Sequence, residues 1–185
     1  MSGLSHDSLR SELSKRGYLS GALMENWWRP VTDLPPPRIA EGIEVRPATV
    51  EDADLWVRTV VAGFEEADSP IDEVALSPDL LDMFYCLGFA QGARPYLALR
   101  HGEPVGGGVL YVNGDTAHLR TTSCRVVHRC HGVQTALLSV RLQEAQKAGC
   151  QFVFSSTEGL GASERNLRRF GLEPLSISYL MSKAA

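Results

Sequence analysis

The segment RVVHRCHGVQTALL, Arg125 to Leu138, sets two arginines, two histidines and a cysteine directly before a glycine and an apolar run with helical spacing. The first turn of a helix has N–H groups without intrahelical acceptors and carries the positive end of the helix dipole. Such a turn holds anions, phosphate above all. Arg125, His128, Arg129 and His131 would deepen the positive potential. No Asp or Glu occurs from Thr116 to Gln143, although the chain carries a net charge of -4. That local exclusion of acid singles the segment out. The plainer alternative is that Arg129 and His131 are solvated turn residues.

Other side chains permit other chemistry. Cys124, Cys130, His128 and His131 could be read as a metal cluster, but they lack zinc-finger spacing and a second ligand pair, so no metal is expected. Cys130 beside His131 at a helix start is placed to favour thiolate. Ser163 and Asn166, three residues apart, share one helix face toward a ligand; alternatively Ser163 caps the helix and Asn166 faces water. Glu158, after a strand, could serve as a base or simply be solvated. Neither a GxxxxGKS/T loop nor a GxGxxG after a first strand is present, which removes the main support for nucleotide hydrolysis and dinucleotide binding.

These residues need elements to hold them. DSLRSELSKR has helical spacing and stops at Gly17; LSGALMENWW reads as a strand; four prolines between Pro30 and Gly42 mark a linker. IEVRPA alternates as a strand, and Thr49 is placed to cap a helix through Trp56 and Val60. Residues 64–93 read as helix broken at Pro70 and Pro78, with Leu80, Leu81, Phe84 and Leu87 on a buried face. PYLALR, PVGGGVLYV and TAHLRTTSC, joined at His101-Gly102 and Asn113-Gly114, form an antiparallel meander. The helix from about Gly132 to Ala148 carries a polar stripe of Ser139, Gln143, Gln146 and Lys147, with Val133, Leu137, Val140 and Leu142 buried. CQFVFSS reads as a parallel strand covered on both faces. A helix over about Ala162 to Phe170 and the strand LSISYLM complete the order. The helix–glycine–strand pattern of LSKRGYLSGALMEN recurs in LRRFGLEPLSISYLMS.

With 185 residues, 44% hydrophobic and 22% charged, the chain suits one domain with a real core. Its acidity argues against nucleic acid as a partner. No apolar run approaches the roughly 18 residues of a membrane span, and the polar start lacks a signal-peptide core. A cytoplasmic location follows as the expectation, with four cysteines in no CxxC pair as reduced thiols.

The run Arg129-Cys130-His131-Gly132-Val133-Gln134 resembles the Q/R-x-x-G-x-G/A signature of the GNAT acetyltransferase superfamily, which opens a helix whose N–H groups cradle the pyrophosphate of coenzyme A. GIEVRPATVEDAD is similar to the family's first strand and helix, and ASERNLRRFGLEP to its closing helix and strand. RGYLSGALMENWWRP resembles the final strand of such domains. The resemblance implies an α/β (α+β) fold: a mixed, mostly antiparallel central sheet flanked by helices, with the fourth and fifth strands, counted from Gly42, splayed apart. Residues 42–185 would be the acetyltransferase domain, and residues 1–41 a helix–strand extension and linker, the remnant of a duplicated domain.

The resemblance further implies acetyl-CoA as co-substrate, with its pantetheine arm pairing against Thr122, Ser123 and Cys124. Its pyrophosphate would lie on Arg129, Cys130, His131, Gly132, Val133, Gln134 and Thr135, and Ser163 and Asn166 would reach the arm. A primary amine of a small molecule or peptide would attack the thioester directly. The acidic residues Glu65, Glu66, Asp68, Asp72, Glu73, Asp79 and Asp82 would wall the acceptor site and favour a cation, unless they are only a solvated face. Of Trp27 and Trp28, one is expected to pack and the other to line the acceptor site or the seam of a homodimer. Four positions depart from the family. Cys130 stands where glycine is common, His131 where arginine is, and Gln134 where a small residue is. Leu167 occupies the place of the tyrosine that protonates the departing thiolate. A catalytically silent acetyl-CoA-binding domain is the alternative.

Overall fold

A computed structural model describes residues 6–65, 70–159 and 161–183. Helix α1 (His6–Lys15) turns at left-handed Gly17 into β1 (Tyr18–Pro30). Beyond the linker come β2 (Ile43–Pro47), α2 (Ala53–Phe64) and α3 (Pro78–Phe89). The meander β3 (Ala93–Arg100), β4 (Glu103–Asn113) and β5 (Thr116–Cys124) follows. Helix α4 (Val133–Lys147), β6 (Phe152–Glu158), α5 (Ala162–Arg169) and β7 (Glu173–Lys183) complete the order. The strands form one sheet in the order β2-β3-β4-β5-β6-β1-β7. Every neighbouring pair is antiparallel except β5 and β6. The expected mixed, mostly antiparallel sheet flanked by helices is therefore present. The fourth and fifth strands after the linker are β5 and β6.

Two apolar clusters hold the helices to the sheet. One joins Leu110, Leu119 and Val153 to Val133, Leu137 and Leu142 of α4 and Leu167 of α5. The other joins Trp56, Val57 and Val60 of α2 to Leu97 and Val109. Leu97, Leu110, Leu137 and Leu142 are fully buried, and each contributes about 2 kcal/mol through removal from water. Helix α3 starts at Ser77, whose hydroxyl accepts from the Leu80 N–H at 3.3 Å, with Pro78 in the first turn where no donor is needed.

The polar stripe of α4 is used to hold the linker. Ser139 is buried and its hydroxyl accepts from the Arg38 N–H at 2.9 Å. Gln143 and Gln146 donate to the carbonyls of Pro35 and Val31. The proline-rich linker cannot pair with itself, so this stripe supplies its partners and ties it along the helix. Leu87 is exposed rather than buried, because α3 meets the sheet through Phe84 and meets α2 through Gly88, packed on Trp56. On β6, Val153 is buried while Phe152 and Phe154 are half-buried against Trp28 and His118, so the strand lacks the expected full cover on both faces.

Candidate functional site

Strands β5 and β6 pair only at their beginnings, Thr116 to Leu119 against Phe152 to Ser155. Beyond that point β5 stays with β4, Ser123 opposite Gly107 and Cys124 opposite Gly106, whereas β6 stays with β1, Thr157 opposite Glu25. A wedge opens between them. Its cause lies in β5, which bulges between Arg120 and Ser123 with Thr121 in a left-handed conformation at φ 50°. Beyond the bulge, the Ser123 hydroxyl donates to the Val60 carbonyl at 2.8 Å. A Cβ on Gly63 would lie 2.5 Å from that hydroxyl oxygen, so only glycine lets α2 sit this close to β5. From the other side, the fully buried Arg141 donates to the carbonyls of Leu137, Val109 and Arg120, the last on the bulge itself. Desolvation lowers its pKa to about 10, leaving it charged at neutral pH.

At the mouth of the wedge the chain turns into α4. Cys130 and Gly132 both have positive φ, 64° and 86°, and Gly132 is the N-cap without any side-chain cap. Among the described residues, the first N–H groups of α4 thus have neither an intrahelical acceptor nor a capping side chain. Arg129 donates to the Cys124 carbonyl and to the Gly63 carbonyl, both at 3.3 Å, which bridges the end of β5 to α2. His131 is exposed; its Nδ1 lies 2.8 Å from the Arg129 carbonyl and must be the protonated nitrogen there, since a carbonyl only accepts. A hollow of about 280 Å³ lies beside this turn, lined by Arg38, Ile39, Ala40, Gly132 and Thr135.

The positive potential is smaller than the sequence suggests. Arg125 donates to Glu103 Oε1 at 2.6 Å, and His128 Nε2 lies 3.6 Å from the same oxygen. The β3–β4 hairpin brings this acid from outside the acid-free segment. Arg38, on the linker, partly makes up the loss. Sequence reasoning missed it because it lies far from Gly132 along the chain, and it missed Arg141, whose burial depends on neighbours from β4 and β5.

The remaining candidates fall as follows. The side chains of Ser123 and Cys124 are buried, so these residues offer the wedge their backbone. Burial pushes the Cys124 thiol up to about 11. Asn166 Nδ2 donates to Gln134 Oε1 at 2.7 Å, joining α5 to the start of α4. Ser163 is exposed within α5, whose N-cap is Gly161, so its capping alternative does not hold. Val133 is buried and Thr135 half-buried; Thr122 is half-buried, and Glu158 is exposed at the end of β6. Leu167 belongs to the core. Trp27 packs in the core, donating to the Thr157 hydroxyl under the Arg168 guanidinium, while Trp28 is half-buried against Phe152. Glu65, Asp72, Glu73, Asp79 and Asp82 are at least partly exposed; Glu66 and Asp68 lie outside the described residues. Among the described residues no three His, Cys, Asp or Glu side chains converge to hold a metal, and no helix is long and apolar enough to cross a membrane.

Comparison with known proteins matches this geometry. The model of the acetyltransferase (GNAT) family matches residues 61–171, from within α2 to the glycine before β7. Among solved structures, a GCN5-related N-acetyltransferase from Kribbella flavida superposes with a TM-score of 0.68 at 17% identity, over 96% of this chain and 64% of that one. Another, from Sphaerobacter thermophilus, gives 0.68 at 18% identity, over 96% and 56%. A tandem GNAT protein from the clavulanic acid biosynthesis pathway gives 0.64 at 15% identity, over 96% and 58%. At these identities the shared property is the fold. The chain spans less than two thirds of the length of these three. No curated protein matches it in sequence.

Proposed function

The chain belongs to the acetyltransferase (GNAT) family, and on that premise we propose that it moves an acetyl group from acetyl-CoA to a primary amine of a small molecule or peptide by direct attack. The observation that carries this reading is the β5–β6 wedge opening directly below an uncapped helix start, with Cys130 and Gly132 in left-handed conformations. In this reading the pyrophosphate lies on the N–H groups of Gly132, Val133, Gln134 and Thr135, with Arg129, Cys130, His131 and Arg38 around it. The pantetheine amides pair with the wedge-facing backbone of Thr122, Ser123 and Cys124 as an added strand would. Ser163 and Asn166 flank the arm from α5.

The neutral amine attacks the thioester carbonyl, a C–N bond forms, and the carbonyl oxygen takes negative charge. A backbone N–H at the β5 bulge stabilises that oxygen. The C–S bond then breaks, the thiolate leaves with coenzyme A, and the amine's proton passes to water. Direct attack is favoured over an acyl-enzyme because the cysteine ending β5 is buried and its thiol is held near 11. Leu167 lies in the core, where many members of the family carry a tyrosine, so the departing thiolate takes its proton from water; Glu158, exposed at the end of β6, is the candidate base. Catalysis then rests on positioning more than on acid–base groups.

We also propose a cytoplasmic setting, consistent with four free cysteines. Residues 1–41 are read as the remnant of a duplicated domain, a reading supported by β1 lying between β6 and β7 and repeating the helix–glycine–strand pattern of α5 and β7. Thioester turnover with a panel of amines, beside the coenzyme A affinity of wild type and Arg129→Glu, tests the function. We expect turnover with at least one amine and loss of most affinity in the variant. Tight binding with no turnover for any amine would contradict catalysis; equal affinity in the variant would contradict the anion site.

A further inference from the structure

Arg141 is 0% exposed. Its hydrogen bonds go to three carbonyls and, among the described residues, to no carboxylate. A buried cation without a counter-charge lowers stability, and an apolar side chain of similar volume would often pack as well or better. Room is nevertheless kept for it. A Cβ on Gly108, which stands in β4 opposite the bulge of β5, would lie 2.7 Å from Arg141 Nη1.

The directions of the β5 carbonyls identify what the guanidinium acts on. The Leu119 carbonyl accepts from the hydroxyl of its β6 partner Ser155 at 3.2 Å, so it faces β6. Successive carbonyls of a strand point to opposite sides, and the Arg120 carbonyl accordingly faces β4. There it accepts from the same Arg141 Nη1 as the carbonyl of its cross-strand partner Val109, at 3.3 and 3.1 Å. The peptide from Arg120 to Thr121 is trans, which sets its N–H opposite its C=O. The Thr121 N–H therefore points to the β6 side. It is the first N–H to do so past Leu119, where pairing with β6 ends and the wedge begins. We infer that Arg141 is a positioning residue for acetyl transfer: by binding the Arg120 carbonyl it fixes and polarises the Arg120–Thr121 peptide, and the Thr121 N–H becomes the donor to the thioester oxygen. The inference rests on the acetyl-transfer reading. A carbonyl that accepts from a cation draws electron density from its own amide nitrogen, which strengthens the N–H as a donor. That donor acts most strongly as charge develops on the oxygen, so weakening it lowers kcat more than coenzyme A affinity. Arg141 acts through this one peptide and touches no reacting atom.

Infrared spectra of bound acetyl-CoA, isotope-labelled at the thioester carbonyl, read this donor directly and do not require turnover. The carbonyl stretch should lie at higher frequency in Arg141→Met than in the wild type, because the oxygen has lost a strong donor. In the same variant kcat should fall roughly tenfold to a hundredfold, less than the loss of a whole oxyanion donor, with coenzyme A affinity nearly unchanged. Gly108→Ala leaves α4 intact but displaces the guanidinium, and should move both readings the same way. Arg141→Lys keeps a donor nitrogen and should recover part of each. Circular dichroism checks that every variant is folded. A stretch at the wild-type frequency in both Arg141→Met and Gly108→Ala would overturn the inference. So would a fall in kcat that only follows lost coenzyme A affinity, which would make Arg141 a packing residue. A wild type that turns over no amine would contradict the acetyl-transfer reading instead, and the carbonyl stretch would still decide whether Arg141 sets the donor.

Discussion

Cys130 pays for its position with backbone strain: at φ 64° its Cβ crowds the following carbonyl, which costs about 1 kcal/mol that glycine avoids. Cys130→Gly should therefore keep or raise the melting temperature, while Cys130→Val, branched at Cβ, should lower it by several degrees in a thermal scan. The cysteines also report on the site. Cys86 and Cys130 are exposed, whereas Cys124 and Cys150 are buried with their thiols pushed up by desolvation. Mild alkylation followed by mass spectrometry should label Cys86 and Cys130 alone, and saturating coenzyme A should then protect Cys130 but not Cys86. His118, stacked on Phe154 at 5.3 Å, has its pKa lowered chiefly by burial and further by Arg120. The folded ring binds its proton less tightly than the unfolded one, so protonation favours unfolding. Its contribution is full above the unfolded value of about 6.5 and is lost as pH falls through the lower folded value. His118→Gln should flatten that part of the stability profile below about pH 6.5, measured by urea unfolding.

At the scale of elements, the wedge exists because α2 and Arg141 hold the end of β5 from opposite sides. Gly63→Ala would set a methyl 2.5 Å from the Ser123 hydroxyl oxygen, so α2 or β5 must move. Unfolding in urea should show a loss of about 1–3 kcal/mol, and coenzyme A should bind more weakly as the wedge changes shape. An unchanged affinity would detach the wedge from coenzyme binding. The elements themselves were legible from local signals: the meander from Asn113-Gly114 and strand alternation, α4 from its apolar spacing, the linker from its prolines. What was not legible depends on neighbours distant in sequence. Ser139 looks solvated until the linker lies on it, Arg141 looks like a surface arginine until β4 and β5 enclose it, and Leu87 fits a buried face only if α3 were rotated. Glu103 offsets Arg125 and His128 although no reading of residues 116–143 could contain it.

At the scale of the molecule, the splay was anticipated by the family pattern; the insertion of β1 between β6 and β7, and the outer place of β7, required the strand order. The acidic residues between Arg58 and Arg94 bear on the acceptor. Glu65, Asp72, Glu73, Asp79 and Asp82 are partly or fully exposed with no basic residue among them in sequence, and a field of one sign concentrates an oppositely charged substrate. For cationic amines kcat/KM should fall as salt rises, and Glu65→Gln with Glu66→Gln should weaken that fall; a salt-independent preference for neutral acceptors would leave these residues as solubility alone. The central claim is that the start of α4 holds the coenzyme's phosphates, and Cys130 offers its most direct test. Asn and Asp both tolerate the left-handed backbone there and differ by one charge. Calorimetric titration of coenzyme A into Cys130→Asn and Cys130→Asp at low salt should show the aspartate variant binding at least about tenfold more weakly, since a carboxylate at the anion site repels phosphate at close range. Equal affinities in the two variants would contradict the account.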